Sequence, residues 1–198
     1  GYIWFALDNR GSNYRGVAFE QPIYRAMGGV EVRDQKAGAE YLKTLDFVDP
    51  AKIAIDGWSY GGYMTLKQLQ ADPGLYAAGI SGAPVTRWEL YDTHYTERYM
   101  GTPESNPDGY HASSVLTHVD GMAPSAKLLL IHGLIDENVI FRNTALLINK
   151  LIAAGKHHQL LLLPSERHAP RSQATREYIA NSLLAFFNDH LRPHAASS

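Results

Sequence analysis

Short apolar runs alternate along this chain with longer amphipathic stretches, and this alternation limits the fold more than any other feature of the sequence. The apolar runs predict strands at residues 2–7, 52–57, 77–82, 127–132 and 158–163. The stretches between them predict helices at residues 31–45, 60–71, 87–99, 140–154 and 172–190. Turn-forming pairs such as Asp108-Gly109 predict a long irregular excursion over residues 101–126. Strands that alternate with helices form a mostly parallel sheet with helices on both faces, so the sequence predicts an α/β fold.

Composition excludes several classes of protein. The chain has 198 residues, 45% of them hydrophobic, and a formal charge of -2, which suits one domain with its own core. Its 18 basic and 20 acidic residues are scattered, so we expect no nucleic-acid partner. No apolar run approaches the roughly 20 residues that span a bilayer, and we expect no membrane partner. The absence of cysteine excludes disulfides and cysteine nucleophiles but leaves the compartment open.

A Gly-x-Ser-x-Gly motif, Gly57-Trp58-Ser59-Tyr60-Gly61, lies between a predicted strand and a predicted helix. A serine on such a tight turn needs small residues two positions before and two positions after it, because bulky ones would clash. The same motif also arises by chance as a glycine-rich turn with an exposed serine. Its place between strand and helix favours the other interpretation, in which Ser59 is a nucleophile.

A serine hydroxyl becomes a good nucleophile when an imidazole takes its proton and a carboxylate holds that imidazole in one tautomer. Hydrolases of this architecture carry serine, acid and histidine in that order along the chain. Asp136 follows the predicted strand at 127–132, and His168 follows the one at 158–163. Order and position at the strand ends predict Asp136 as the acid and His168 as the base.

Two neighbouring residues are alternatives for these roles. His132 is a rival base, but it precedes the acid and is expected to make a structural hydrogen bond. Glu137 is a rival acid, although it is expected to point elsewhere on the turn. The histidines in or beside the excursion, His94, His111 and His118, lack the spacing of metal ligands. We therefore expect neither a metal nor another cofactor.

Several segments resemble one branch of a known family. They are Gly57-Trp58-Ser59-Tyr60-Gly61-Gly62, Asp136-Glu137-Asn138-Val139, residues 83–101, Asp8-Asn9-Arg10-Gly11-Ser12 and Glu166-Arg167-His168. Together they resemble the dipeptidyl peptidase IV branch of the prolyl oligopeptidase family, and the last segment is especially similar to dipeptidyl peptidases 8 and 9 and bacterial relatives. The resemblance implies an α/β-hydrolase fold. It also implies a serine exopeptidase that releases N-terminal dipeptides whose second residue is proline or, less readily, alanine.

An aromatic stripe, Trp88, Tyr91 and Tyr95, falls on one face of the predicted helix at 87–99, where core packing alone would also explain it. The resemblance implies instead that the stripe lines the pocket for the proline ring, because flat aromatic walls suit a compact apolar ring. The other residues implied to bind substrate are Tyr60, Val85, Val139 and Asn138, the last by holding a backbone carbonyl of the substrate.

The backbone N–H of Tyr60 is expected to be one donor of the oxyanion hole. The resemblance implies a second donor from a tyrosine on an earlier Tyr-Gly-Gly-Pro type loop, and a β-propeller with an acidic pair for the substrate's amino group. Neither is in this sequence, and the first strands of the fold would precede residue 1. We therefore expect residues 1–198 to be the C-terminal catalytic domain of a longer protein, weakly active or inactive alone. Strands 2–7 and 52–57 would each have an unpaired edge.

Two other functions stay open. One is a general esterase with the same fold and triad, and the other is a non-catalytic interaction domain. The resemblance further implies a homodimer of the full-length protein, with a contact near the C-terminal helix at 172–190. Length, composition and charge predict a soluble protein, and the resemblance to bacterial relatives does not choose between cytoplasm and periplasm.

Overall fold

The structure is a computed structural model that describes residues 1–192; residues 193–198 of the predicted domain lie outside the described residues. Its strands are Ala54–Trp58 (β1), Ala78–Gly82 (β2), Leu128–Gly133 (β3) and Gln159–Leu163 (β4). Its α-helices are Val17–Glu20 (α1), Val30–Leu42 (α2), Tyr60–Ala71 (α3), Thr93–Met100 (α4), Pro107–Ser113 (α5), Arg142–Ala153 (α6) and Gln173–Leu191 (α7).

The strands pair in the order β1-β2-β3-β4, and every pair is parallel. The carboxyl ends of all these strands therefore share one edge of the sheet. The predicted strands at 52–57, 77–82, 127–132 and 158–163 are confirmed, with bounds that shift by two residues or fewer. Residues that follow the strands are thereby brought close together, although they are far apart along the chain.

Each face of the sheet has its own hydrophobic core. Leu128 and Leu130 of β3 pack with residues of α2, α3 and α6. The alternate residues, Leu129 and Ile131, pack with residues of α7. All six residues of β3 are buried, as expected for a strand that helices cover on both faces. The predicted arrangement of helices on both faces is confirmed.

The predicted strand at residues 2–7 is wrong. This segment forms no strand, and the side chains of Ile3 and Trp4 are 71% and 77% exposed. A strand needs neighbouring backbone to satisfy its N–H and C=O groups, and no hydrogen bond between two backbone groups within residues 1–192 involves the segment. Its end is held instead by the side chain of Gln35 in α2, which donates to the carbonyl of Leu7 at 3.0 Å.

The predicted helix at residues 87–99 is divided into two pieces. A 3-10 turn covers Trp88–Leu90, and α4 begins at Thr93. The division arises because the side chain of Asp92 accepts the backbone N–H of Tyr95 at 2.9 Å and so begins a new helix.

The predicted irregular excursion at 101–126 contains a helix, α5. The side chain of Asn106 accepts the backbone N–H of Gly109 at 3.3 Å, and Pro107 occupies the first helical position. Both features favour a helix start, so this stretch is more regular than its turn-forming residues predict.

Within residues 1–192, no helix is both long and apolar enough to cross a membrane.

Candidate active site

Ser59 lies on the turn between β1 and α3, and its backbone has φ 59° and ψ −114°. Such a positive φ is rare for a residue with a side chain and is typical of functional sites. The turn depends on close backbone approach: a Cβ at Gly57 would clash with the backbone of Gly61, and a Cβ at Gly62 would clash with the carbonyl of Gly82. Neighbouring glycines therefore allow the conformation that presents the Ser59 hydroxyl.

The steric prediction for the motif is confirmed at Gly57 and wrong at Gly61. A Cβ added at Gly61 would have no heavy atom within 4 Å beyond its own turn of helix. Gly57 packs against the backbone of Gly61, so the close contact does not depend on the lack of a side chain at Gly61. The second tight position is Gly62, one residue further along.

Asp136 and His168 lie beyond the carboxyl ends of β3 and β4, at the same edge of the sheet as Ser59. His168 Nε2 lies 2.9 Å from Ser59 Oγ, and its Nδ1 lies 2.8 Å from Asp136 Oδ2. These distances are within the range of hydrogen bonds. The structure thus brings the predicted nucleophile, base and acid into one hydrogen-bonded chain.

The carboxylate of Asp136 is buried and held on both oxygens. Oδ1 accepts the backbone N–H groups of Asn138 and Val139, each at 2.9 Å. Oδ2 faces His168 and also lies 3.4 Å from Nε2 of His132. Burial by itself would raise the pKa of Asp136, but hydrogen bonds from His132, His168 and the backbone hold that pKa well below its ordinary value. The acid is therefore ionised at neutral pH.

Neither rival residue contacts Ser59 in the way that His168 does, and each has partners of its own. His132 is fully buried, with Nε2 2.8 Å from the carbonyl of Val139 and Nδ1 2.7 Å from the hydroxyl of Thr144. Because a carbonyl only accepts, Nε2 carries the proton and Nδ1 accepts from Thr144. Glu137 forms an ion pair with Arg167 at 2.7 Å on the surface. His132 thus makes the structural hydrogen bonds that the sequence led us to expect, and Glu137 points away from the buried acid.

Two residues that sequence reasoning did not single out hold the loop of His168. The indole N–H of Trp58 donates to the carbonyl of His168 at 2.8 Å. A Cβ at Gly133 would clash with the carbonyl of Glu166, so this loop packs directly on the end of β3. The sequence could have indicated such a role for Trp58, because a partly buried indole N–H requires an acceptor.

The aromatic residues beside Ser59 form one group, which we call the aromatic cluster. Its members are Tyr60, Tyr63, Trp88, Tyr91 and Tyr95. The centroid of the Trp88 ring lies 5.6 Å from that of Tyr60 and 6.0 Å from that of Tyr95. The predicted stripe is therefore together in space although its helix is interrupted, and Tyr63 is a member that was not predicted.

Val85 and Val139 are buried in the same hydrophobic core as this cluster. Burial raises the pKa of Tyr95 to about 12, so its phenol is neutral at physiological pH. Val85, Val139 and Trp88 are buried, whereas Tyr60, Tyr91 and Tyr95 keep part of their surface exposed. The exposed part of the cluster is thus uncharged and aromatic, a surface that suits an apolar ring.

Asn138 connects the turn of the acid to the cluster. The hydroxyl of Tyr91 donates to Oδ1 of Asn138 at 2.8 Å. Because that oxygen accepts from Tyr91, the amide N–H groups of Asn138 are the ones that can donate to the carbonyl of a substrate.

The backbone N–H of Tyr60 lies at the amino end of α3, directly after Ser59. Tyr60 is the first residue of α3, and the first N–H groups of a helix have no acceptor within it. The helix also carries partial positive charge at this end.

Within residues 1–192, no group of three or more His, Asp or Glu side chains lies close enough to hold a metal ion.

Comparison with known proteins assigns the chain to a family. A profile described as the prolyl oligopeptidase family matches residues 1–194. This chain belongs to the prolyl oligopeptidase family. Dipeptidyl peptidase 8 of Mus musculus is 41% identical to it over 199 residues, which cover 100% of this chain and 22% of that protein. Dipeptidyl peptidase 4 of Bos taurus is 40% identical over 183 residues, which cover 91% of this chain and 24% of that protein.

A solved structure gives the same result for the fold. The crystal structure of Porphyromonas gingivalis dipeptidyl peptidase 4 matches with a TM-score of 0.89 and 37% sequence identity, over 93% of this chain and 26% of that one. The α/β-hydrolase fold and the family resemblance are therefore confirmed. This family member spans about a quarter of the length of the relatives it matches.

Proposed function

We propose that this chain is the catalytic domain of a serine dipeptidyl peptidase that acts on peptides with proline, or less readily alanine, in second position. The observation that carries the proposal is the hydrogen-bonded chain from Asp136 through His168 to Ser59, next to the aromatic cluster. The relatives named above are called dipeptidyl peptidases, which supports the same reaction here.

The reaction follows from the positions of the three side chains. Ser59 Oγ attacks the carbonyl carbon of the substrate's second residue, and the hydroxyl proton of Ser59 passes to His168 Nε2. Asp136 holds the other nitrogen and stabilises the imidazolium, and the N–H of Tyr60 donates to the oxyanion. His168 then gives the proton to the leaving amine, which departs and leaves the dipeptide as an ester on Ser59. A water, deprotonated by His168, hydrolyses that ester and releases the dipeptide.

The aromatic cluster accounts for the preference for proline. A proline ring is compact, apolar and without a backbone N–H, so it can lie against the partly exposed rings of Tyr60, Tyr91 and Tyr95 without an unpaired donor. Charged side chains would lose their hydration against these walls. Alanine fits the same space but contacts less of it.

We also propose that the chain works as part of a longer protein and is weakly active or inactive alone. Tyr60 supplies one backbone donor for the oxyanion, and an oxyanion hole that lacks one donor is typically slower by about 100- to 1,000-fold. The short share of each relative that the chain covers supports the same proposal.

A homodimer of the full-length protein, with a contact on α7, completes the proposal. Tyr178 and Leu184 of this helix are 59% and 46% exposed, so their side chains are available to a partner subunit. Light scattering should show a dimer that Leu184→Glu weakens. A full-length protein that is monomeric at all concentrations would contradict a dimer.

The test of function uses the full-length protein with three chromogenic substrates. Gly-Pro-p-nitroanilide should be hydrolysed with a far higher kcat/KM than either its N-acetylated form or p-nitrophenyl acetate. Ser59→Ala should abolish turnover, while the matched control Ser125→Ala, a change at an exposed serine far from Ser59 in the sequence, should not. Faster turnover of the ester than of the amide would favour a general esterase. No turnover of any substrate would favour an interaction domain.

A further inference from the structure

Glu31 is a buried acid in a helix that contributes none of the three catalytic side chains. It is the second residue of α2, and 1% of its surface is exposed. Burial of a carboxylate is costly unless hydrogen bonds compensate for the lost water. Its Oε1 accepts the backbone N–H of Gly28 at 2.9 Å and the hydroxyl of Tyr60 at 2.5 Å. Glu31 thus reaches from α2 to the residue that follows the nucleophile.

A capping role explains only part of this arrangement. The bond from Gly28 satisfies a backbone donor at the start of the helix, which a glutamate that is exposed to water could do equally well. The bond from Tyr60 requires the carboxylate to be buried against the aromatic cluster. Its second oxygen, Oε2, is buried without a hydrogen-bond partner within residues 1–192. The burial of this carboxylate therefore has a cost that capping does not compensate.

Tyr60 has two proposed roles, and a fixed side chain serves both. Its backbone N–H faces the oxyanion, and its ring forms a wall of the aromatic cluster, 5.4 Å from the ring of Tyr63 and 5.6 Å from that of Trp88. Burial and the nearby charge of Glu31 raise the pKa of the Tyr60 phenol well above its ordinary value. The phenol is therefore protonated at neutral pH and donates to Glu31.

We propose that Glu31 is a positioning residue: by holding the hydroxyl of Tyr60, it fixes the wall of the proline pocket and the backbone N–H beside Ser59. This inference rests on the proposed function. It adds to that function a residue of α2 that acts through Tyr60 and determines how strictly the pocket selects proline.

The test compares variants of the full-length protein in two assays. One assay measures kcat/KM for Gly-Pro- and Gly-Ala-p-nitroanilide, and the other measures the rate at which diisopropyl fluorophosphate inactivates Ser59. Glu31→Leu removes the acceptor, and Tyr60→Phe removes the donor. Each should lower kcat/KM for the proline substrate about tenfold, the scale of a lost hydrogen bond to a charged group, and narrow the preference for proline over alanine.

Three further variants separate positioning from a general structural effect. The double variant should be no worse than either single one, because both changes remove the same hydrogen bond. Glu31→Gln keeps an oxygen acceptor and should stay within about threefold of the unmodified protein. The control is Asp34→Leu, which changes another acid of the same helix, one that pairs with Arg10. Its kcat/KM and its inactivation rate should stay within about twofold of the unmodified protein.

The outcomes that overturn the inference are distinct from those that overturn the function. Additive losses of kcat/KM in the double variant would refute the role of Glu31. Unchanged kcat/KM values in Tyr60→Phe would refute it too, even if Glu31→Leu failed to fold. If the unmodified protein cleaved neither dipeptide substrate, the proposed function would fail. The inactivation rates would then still test the effect of Glu31 on Ser59: a slower reaction in Glu31→Leu supports it, and equal rates refute it.

Discussion

The replacement of Asp136 by asparagine tests the assignment of the acid, because the two oxygens of Asp136 have different partners. Oδ1 accepts two backbone N–H groups, from Asn138 and Val139, whereas Oδ2 accepts from His168 and lies 3.4 Å from Nε2 of His132. An asparagine has one oxygen and one N–H2 group, so it cannot accept on both sides.

The orientation of the new amide follows from the energies of these bonds. If the N–H2 group faced the backbone, two N–H groups would lose their acceptor, at a cost of roughly 1–3 kcal/mol each. The oxygen of the new amide is therefore expected to stay with the backbone, and its N–H2 group faces His168. Nδ1 of His168 must then accept, its proton moves to Nε2, and Nε2 donates to Ser59 instead of accepting its proton.

A histidine in the wrong tautomer lowers kcat by about 10⁴-fold in a triad of this kind, or about 5.4 kcal/mol of transition-state stabilisation. We expect a loss of this size for Asp136→Asn in the full-length protein, measured with Gly-Pro-p-nitroanilide near pH 8. The matched control is Glu137→Gln, the same change in the neighbouring acid, which forms an exposed ion pair and should alter kcat only a few-fold. Retention of a tenth of the activity by Asp136→Asn, or an equal loss in Glu137→Gln, would refute the assignment.

Three further predictions concern the turn, the histidine loop and pH. Gly57→Ala should lower kcat/KM at least 100-fold because its Cβ would meet the backbone of Gly61, whereas Gly61→Ala should stay within a few-fold; equal effects of the two would contradict the geometry. Trp58→Phe removes the donor to the carbonyl of His168 and should lower kcat about fivefold with little change in KM, so an unchanged kcat would show that this bond does not position the base. Because the pKa of Asp136 is lowered on folding, its contribution to stability is complete above about pH 4 and is lost as pH falls through the lowered value. In urea denaturation, the stability difference between the unmodified protein and Asp136→Asn should shrink below about pH 4, and a constant difference down to about pH 2 would contradict this.

The positions of Ser59, Asp136 and His168 could be predicted because parallel strands bring their carboxyl ends to one edge. Once the strands were placed, each residue that follows a strand had a defined location in space, whatever the conformation of the loops between them. The hydrogen-bonding role of His132 followed from the same placement. Local pattern and chain order were sufficient for this part of the site.

Features that depend on tertiary partners were not visible in the local pattern. Residues 2–7 have the composition of a strand, but no backbone among the described residues pairs with them. The interruption at Asp92 depends on a side-chain cap that competes with a continuous helix. The bond between Glu31 and Tyr60 joins two helices, and neither segment alone indicates that the other is its partner.

Covalent capture of the nucleophile is the decisive experiment for Ser59. The full-length protein would be treated with a diphenyl phosphonate analogue of a Gly-Pro dipeptide, which loses phenol when a nucleophilic serine attacks its phosphorus, and then digested for mass spectrometry. We expect one adduct, on the peptide that contains Ser59, and much slower labelling in His168→Ala. Labelling at another residue, or undiminished labelling of Ser59→Ala, would contradict the assignment of Ser59 as the nucleophile.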